Sequence, residues 1–302
     1  MLDDFIVAIA SGKGGTGKTT VAANLARAVC DTGQKVQYLD CDVDAADLHL
    51  VLNPDIKQTT DFSGGKIAAI ITDKCIGCSR CEEVCHFDAA TFIGPGNDIV
   101  EKTYRIDPIS CEGCGVCVHF CPVNAIEFKE AINGQWFISE TRFGPMVHAR
   151  LGIAQENSGK LVSLIRKEAK RLATERNHDL IVVDGSPGIG CPVIASITGA
   201  DLVLVVTEPT LSGRHDLDRV TQLTKHFNIP TTICINKCDI NPSIAEEIRN
   251  AAHSKNLIIV GEIPYDPEVT KAQIAGQSII EYSNGKLKGQ IASLWESILE
   301  AL

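Results

Sequence analysis

Short, unbroken apolar runs alternate along this chain with longer stretches in which apolar side chains recur every three or four positions. The runs are "FIVAIA" from Phe5, "LIVVD" from Leu180, "ADLVLVVTEP" from Ala200 and "TTICINK" from Thr231. Strands that read as continuously apolar are buried on both faces, as in a parallel sheet covered by helices. The helical pattern occurs in "TTVAANLARAVCDTG" from Thr19, closed by Gly33, in "SGKLVSLIRKEAKRLATERN" from Ser158 and in "HDLDRVTQLTKHF" from His215. Strand–helix alternation at both ends of the chain predicts an α/β architecture with a mainly parallel sheet.

Near the C-terminus Ile291, Leu294, Trp295, Ile298, Leu299 and Leu302 fall at helical spacing. A helix lying on a membrane surface carries basic residues on its polar face. This one carries Glu296 and Glu300, so it is expected to pack on the core.

From Phe62 to about Phe128 the pattern breaks into short apolar runs, Cys pairs and Gly. The chain therefore divides into a discontinuous α/β domain, residues 1–60 and 131–302, and a Cys-rich insert, residues 61–130. Just past the insert, Asn133-Gly134 lies between two strand-like runs, which predicts a hairpin turn there.

Composition narrows the function. The net charge of -10 over 302 residues argues against a nucleic-acid partner held by a broad basic surface. No apolar run approaches the roughly 20 residues of a membrane span, and the acidic "MLDDFIVAIASGKGG" is no secretory signal. The expectation is a cytoplasmic protein without membrane insertion. Of 13 cysteines, eight fall in two tight groups. In a reducing compartment such grouping reads as metal binding, not as disulfides.

"GKGGTGKTT" spans Gly12, Lys13, Gly14, Gly15, Thr16, Gly17, Lys18, Thr19 and Thr20. It follows a predicted strand and opens a predicted helix, the context a phosphate-binding loop needs. Backbone N–H groups there surround phosphate oxygens, Lys18 is expected at the β/γ-phosphates and Thr19 on Mg²⁺. "YLDCDVDAADLHL" adds Asp40, Asp42 and Asp44 after the second strand, and Asp184 closes "LIVVD" as a Walker B candidate.

Lys13, directly after the first Gly, gives the loop a form that resembles the deviant Walker A of the MinD/ParA/Mrp superfamily, which includes the nitrogenase iron protein. The resemblance implies an α/β, mainly parallel-sheet P-loop NTPase of the SIMIBI class, covering roughly residues 1–60 and 135–302. It implies an ATP-dependent homodimer in which Lys13 reaches the partner's nucleotide and stabilises the transition state. It also implies Asp42 as the residue orienting the attacking water, and Asp40 and Asp184 as support for the metal. "INKCD" supplies Asn236 and Asp239 for the base, a run that also grips guanine. "GEIPYDPEVTKA", with Pro264, resembles the family's base-side segment and points to ATP.

The two Cys groups are Cys75, Cys78, Cys81, Cys85 and Cys111, Cys114, Cys117, Cys121, each residue 36 after its counterpart. This doubled C-x₂-C-x₂-C-x₃-C spacing points to two [4Fe–4S] clusters, with zinc as the rival occupant. In two-cluster ferredoxins the fourth Cys of each run serves the other cluster. That resemblance implies one set of Cys75, Cys78, Cys81 and Cys121, and another of Cys85, Cys111, Cys114 and Cys117, in an α+β ferredoxin-like insert. His86 stands where Pro122 stands in the second run, and reads as a turn residue or a hydrogen-bond donor that tunes a cluster. Cys191, in "GIGCP", is a packing residue or a ligand bridging a dimer axis.

The combination is that of a MinD-type ATPase carrying an inserted ferredoxin domain. The expected function is MgATP hydrolysis coupled to electron transfer toward a partner protein. The alternatives are an iron–sulfur carrier and a redox-sensing switch that positions client proteins.

Overall fold

The apolar runs become strands and the periodic stretches helices in the computed structural model, which describes residues 5–152 and 158–301. In chain order the first elements are β1 (Phe5–Ser11), α1 (Lys18–Asp31), β2 (Val36–Asp40), α2 (Leu48–Leu52) and β3 (Asp55–Ile70). They are followed by α3 (Arg80–Glu83), β4 (Ala90–Gly94), β5 (Thr103–Ile106), α4 (Val116–Phe120), β6 (Ile126–Thr141) and β7 (Gly144–Leu151). The second half contains α5 (Ser158–Arg176), β8 (Leu180–Pro187), α6 (Cys191–Ile197), β9 (Leu202–Thr207), α7 (Leu211–His226) and β10 (Thr231–Asn236). It closes with α8 (Pro242–Ser254), β11 (Ile258–Ile263), α9 (Pro267–Ile274), α10 (Ile279–Tyr282) and α11 (Lys286–Glu300).

The chain forms two units. The first contains residues 1–60, 136–150 and 158–302, and the second residues 61–135 and 151–157.

In the first unit the strand order is β11-β10-β9-β1-β8-β2-β7, continued by β6 and β3, each of which carries residues of both units. The pairs from β11 through β7 are parallel. After β1 the chain crosses to one side of it, and after β8 to the other, so β1 sits at the point where strand order reverses. Ligand sites of open α/β sheets form there, outside the carboxyl ends of the strands. Register completes the placement, with Asp184 of β8 opposite both Ile9 of β1 and Asp40 of β2.

One face of the sheet packs Ile9, Tyr38, Val182 and Leu204 against Leu25 and Val29 of α1 and against Ile291, Leu294, Trp295 and Ile298 of α11. The C-terminal helix is thus a core element, as its acidic polar face predicts. Leu299 departs from the pattern and is 38% exposed, while Leu302 lies outside the described residues.

The expected hairpin turn at Asn133-Gly134 is not there. β6 runs straight through both residues, and the turn lies at Arg142-Phe143, between β6 and β7. The reason is hydrogen bonding on both sides of the strand: the Asn133 carboxamide accepts Gly64 N–H (2.8 Å) and its backbone carbonyl accepts Gly152 N–H (2.7 Å). A residue bonded to neighbours on both flanks is a sheet position, whatever its turn propensity.

The second unit is built from the antiparallel pair β4–β5, the two short helices α3 and α4, and a small core of Ala68, Ala89, Ala90, Tyr104, Ile106 and Ile126. Its halves repeat in backbone as well as in Cys spacing. Left-handed residues recur 36 positions apart, at Gly77 and Gly113, Ser79 and Gly115, and Asp88 and Asn124.

Candidate functional site

The carboxyl ends of β1, β2, β8, β9 and β10 deliver the residues of one site in the first unit. Beyond β1 the loop closes tightly enough that two of its glycines admit no side chain. A Cβ on Gly12 would stand 2.3 Å from Asp216 Cβ, and one on Gly17 (φ +90°) 2.1 Å from Asn236 Nδ2. The loop is therefore seated against α7 on one side and the end of β10 on the other. α1 starts at Lys18 with no side-chain cap on its first N–H groups, which leaves them for an anion. The adjoining cavity, about 670 Å³, is lined by residues including Gly14, Thr19, Asp42, Asn236, Pro264 and Tyr265.

Lys18 is 5% exposed, with its ammonium 2.7 Å from Asp184 Oδ1 and 3.5 Å from Asp42 Oδ2. Burial alone would lower it, but the charge and hydrogen bond of Asp184, with Asp42 and Asp40 behind, hold it above its ordinary value. The other oxygen of Asp184 is buried without a partner, as is the Thr16 hydroxyl. An orphaned buried carboxylate oxygen on the partner of Lys18, with the Thr19 hydroxyl 3.5 Å from the same ammonium, fits a hydrated divalent cation.

Asp40 takes a different part. Its Oδ1 accepts Asp42 N–H (3.0 Å) and its Oδ2 accepts Leu48 N–H (3.3 Å). Both oxygens hold the loop after β2, the segment that carries Asp42. Burial and the neighbouring Asp184 push its carboxyl well above the usual range, and burial also raises Asp42 despite Lys18.

On the base side, Asn236 donates to Thr16 O (2.8 Å), and Asp239 Oδ1 accepts Tyr265 N–H (2.7 Å). The "NKCD" and "IPYD" runs, 26 residues apart at these two positions, meet directly. Gln273 donates to Thr20 (2.8 Å) and closes the cavity from α9.

Lys13 turns onto its own chain, with its ammonium 2.7 Å from Glu208 Oε1, 3.0 Å from Ser212 Oγ and 3.3 Å from Thr210 Oγ1. Lys237 shares the same carboxylate through Oε2 (2.9 Å) and donates to Gly15 O (2.9 Å). Sequence reasoning passed over Glu208, Lys237 and Gln273. For Glu208 the available signal was position: an acid directly after a buried parallel strand lies at the ligand end of the sheet.

In the second unit the eight cysteines line two cavities. One is bordered by Cys75, Cys78, Cys81 and Cys121 with Tyr104 and Arg80, and the other by Cys85, Cys111, Cys114 and Cys117 with Phe87 and Glu112. Cys81 borders both. Cys78 and Cys114, equivalent in the repeat, are the exposed members. Among the described residues no three His, Cys, Asp or Glu side chains converge as a single metal ion requires. In a cubane each thiolate binds its own iron, so four sulfurs stand around a space rather than meet at a point. His86 is exposed in the turn after Cys85 and borders neither cavity. Cys191 is exposed at the start of α6, whereas Cys234 is fully buried and its thiol is pushed up to about 12 by that burial.

Comparison with known proteins agrees with the first unit's architecture. The model of the CobQ/CobB/MinD/ParA nucleotide-binding domain matches residues 7–279. An uncharacterised protein of Methanocaldococcus jannaschii is 34% identical over 294 residues, 97% of this chain and 96% of its own length. An ATP-binding protein of the same organism, also uncharacterised, is 26% identical over 91% of this chain and 79% of its own. Among solved structures, the septum site-determining protein MinD of Pyrococcus horikoshii complexed with Mg-ADP superposes with a TM-score of 0.59 at 19% identity, over 98% of this chain and 96% of that one. At that identity the likeness is one of fold.

Proposed function

The chain belongs to the CobQ/CobB/MinD/ParA nucleotide-binding family, and from that premise we propose that it is an MgATP-hydrolysing iron–sulfur protein that transfers electrons to a partner protein. The observation that carries the iron–sulfur half is the pair of cavities, each bordered by one interlocked Cys quartet. Thiolates are the soft ligands that such clusters take, and bound [4Fe–4S] groups would supply one-electron redox chemistry. The chain's own part is to present those eight sulfurs beside a small apolar core, which includes Cys81 and packs against Cys85, Cys111, Cys117 and Cys121.

For the nucleotide, the base-side geometry favours adenine. Asp239 Oδ1 accepts Tyr265 N–H, which ties this carboxylate to the "IPYD" segment that resembles the base side of ATP-binding relatives. Asn236 gives its amide N–H to Thr16 O and keeps its oxygen as the acceptor for an exocyclic amino group. Lys18 and the free N–H groups at the start of α1 would hold the phosphates, and Thr19 with the open oxygen of Asp184 would hold Mg²⁺ through water. Asp42, which lines the cavity, would accept a hydrogen bond from the attacking water.

The test is anaerobic purification with iron and sulfide analysis and EPR, with and without MgATP. The expected result is about eight iron and eight sulfide per chain, and an EPR signal or midpoint potential that MgATP shifts in the wild type but not in Lys18→Ala. One zinc per Cys quartet, without sulfide, would overturn the iron–sulfur half. No nucleotide binding would overturn the other.

A further inference from the structure

On the sheet face away from α1 and α11, Ile6, Leu39, Ile181 and Val183 form the floor of a cavity of about 230 Å³. They alternate along β1, β2 and β8 with Val7, Tyr38 and Val182, which pack against those two helices. One wall is α5, through Arg166, Lys167 and Lys170, and the other is the end of α6, at Thr198 and Gly199. We infer that this cavity is a binding site for a small organic anion, its carboxylate held by α5 and its apolar body resting on the sheet.

The three cations have no acid to answer them. Among the described residues, neither Arg166 nor Lys167 nor Lys170 forms an ion pair, in a chain whose net charge is -10. The acids close by in sequence are engaged elsewhere. Glu168 is held by Arg171 at 2.9 Å, and Asp201, two residues past Gly199, turns its Oδ2 to Ile6 N–H at 2.8 Å.

Arg166 is the anchored member of the group. It follows Ile165 of the buried stripe of α5, as Lys170 follows Ala169, so both cations border apolar contacts. The Arg166 guanidinium donates one bond to Ser196 O, which ties α5 to the end of α6. It has five N–H donors, and among the described residues no further acceptor meets the rest. Burial pushes its pKa down, and only the Cys41 thiol acts in the other direction. A half-buried guanidinium with an open fork matches the two oxygens of a carboxylate. The apolar floor keeps water from one side of that contact, which strengthens it.

The volume sets the size of the ligand. It equals that of roughly seven or eight waters and lies below the about 300–1,000 Å³ of sites for drug-sized molecules. All lining residues belong to the first unit, and none is shared with the nucleotide cavity. Occupancy therefore requires neither nucleotide nor clusters.

The experiment titrates the full chain with benzoate and with hexanoate by ligand-observed NMR, with and without MgADP. Benzamide, which lacks the charge, and sulfate, which lacks the apolar body, are the controls. The expected result is a benzoate dissociation constant on the order of 1 mM, moved less than about twofold by MgADP, with both controls at least about tenfold weaker. Arg166→Gln should weaken benzoate about tenfold and Lys170→Gln about threefold. Lys170 is exposed, so its variant decides the matter should Arg166→Gln fail to fold. Absence of binding by both probes at millimolar concentration overturns the inference, as does an affinity that neither variant changes. Benzamide or sulfate binding as tightly as benzoate also overturns it. Displacement of benzoate by MgADP places the probe in the nucleotide cavity and overturns it too. A chain that takes benzoate but no MgADP leaves this site standing and removes the nucleotide half of the proposed function.

Discussion

Lys18 Nζ stands 2.7 Å from Asp184 Oδ1, and this ion pair sits where a phosphate and its metal are expected. The lysine neutralises carboxylates that would otherwise repel one another, since Asp42 and Asp40 also act on it. Lys18→Ala should therefore destabilise the protein as well as abolish nucleotide binding, by about 3 kcal/mol as for other broken buried pairs. The loss should shrink toward pH 5, because Asp40, already pushed well above the carboxylate range, takes up the proton that replaces the missing cation. Denaturant melts of both proteins at pH 7.5 and pH 5 check this. A stability loss equal at both pH values would count against it.

Asp42 lines the cavity, whereas Asp40 holds the loop that carries it. The two substitutions should therefore separate. Asp42→Asn should keep MgATP affinity within a few-fold and lower turnover by about a hundredfold. Asp40→Asn should weaken both, because it loosens the segment from Asp42 to Leu48. Steady-state kinetics with binding isotherms distinguishes the patterns.

The interlocked Cys sets make a counting prediction. Cys75 and Cys121 border one cavity although 46 residues separate them. The double variant Cys75→Ser/Cys121→Ser should lose one cluster and retain about four iron per chain. Cys75→Ser/Cys85→Ser should lose both. If ligation followed the two runs separately, the outcomes would exchange, and iron analysis reads the difference directly.

Arg142, at the turn between β6 and β7, grips Glu281 with two bonds of 2.8 and 2.9 Å, and Glu281 in turn completes the capping box of α10. Burial opposes ionisation, yet Arg142 and Ser278 hold the carboxyl down at about 2, against 4.5 unperturbed. A depressed carboxylate stabilises the fold above its unfolded pKa and loses that contribution as pH falls toward its folded one. Stability should drop between pH 4.5 and 2 by about 1–2 kcal/mol, discounted for partial exposure, and Glu281→Gln should flatten that part of the curve. Denaturation midpoints measured across the window test it.

What the sequence determined by itself is the chemistry that neighbouring residues carry. The phosphate loop is contiguous, and its strand before and helix after are set by local periodicity. The Cys runs are contiguous too, and their 36-residue repeat reappears as paired left-handed backbone positions. Only the tertiary structure decided which distant side chains complete the site. Asp239 meets Tyr265 because β10 and β11 lie side by side, and Glu208 meets Lys13 because β9 ends beside β1. Asn133-Gly134 shows the same limit from the other side. Its local turn preference is real, but hydrogen bonds to Gly64 and Gly152 draw it into a strand. Local propensity is worth at most about 1 kcal/mol per residue, and the pairing of a whole strand outweighs it.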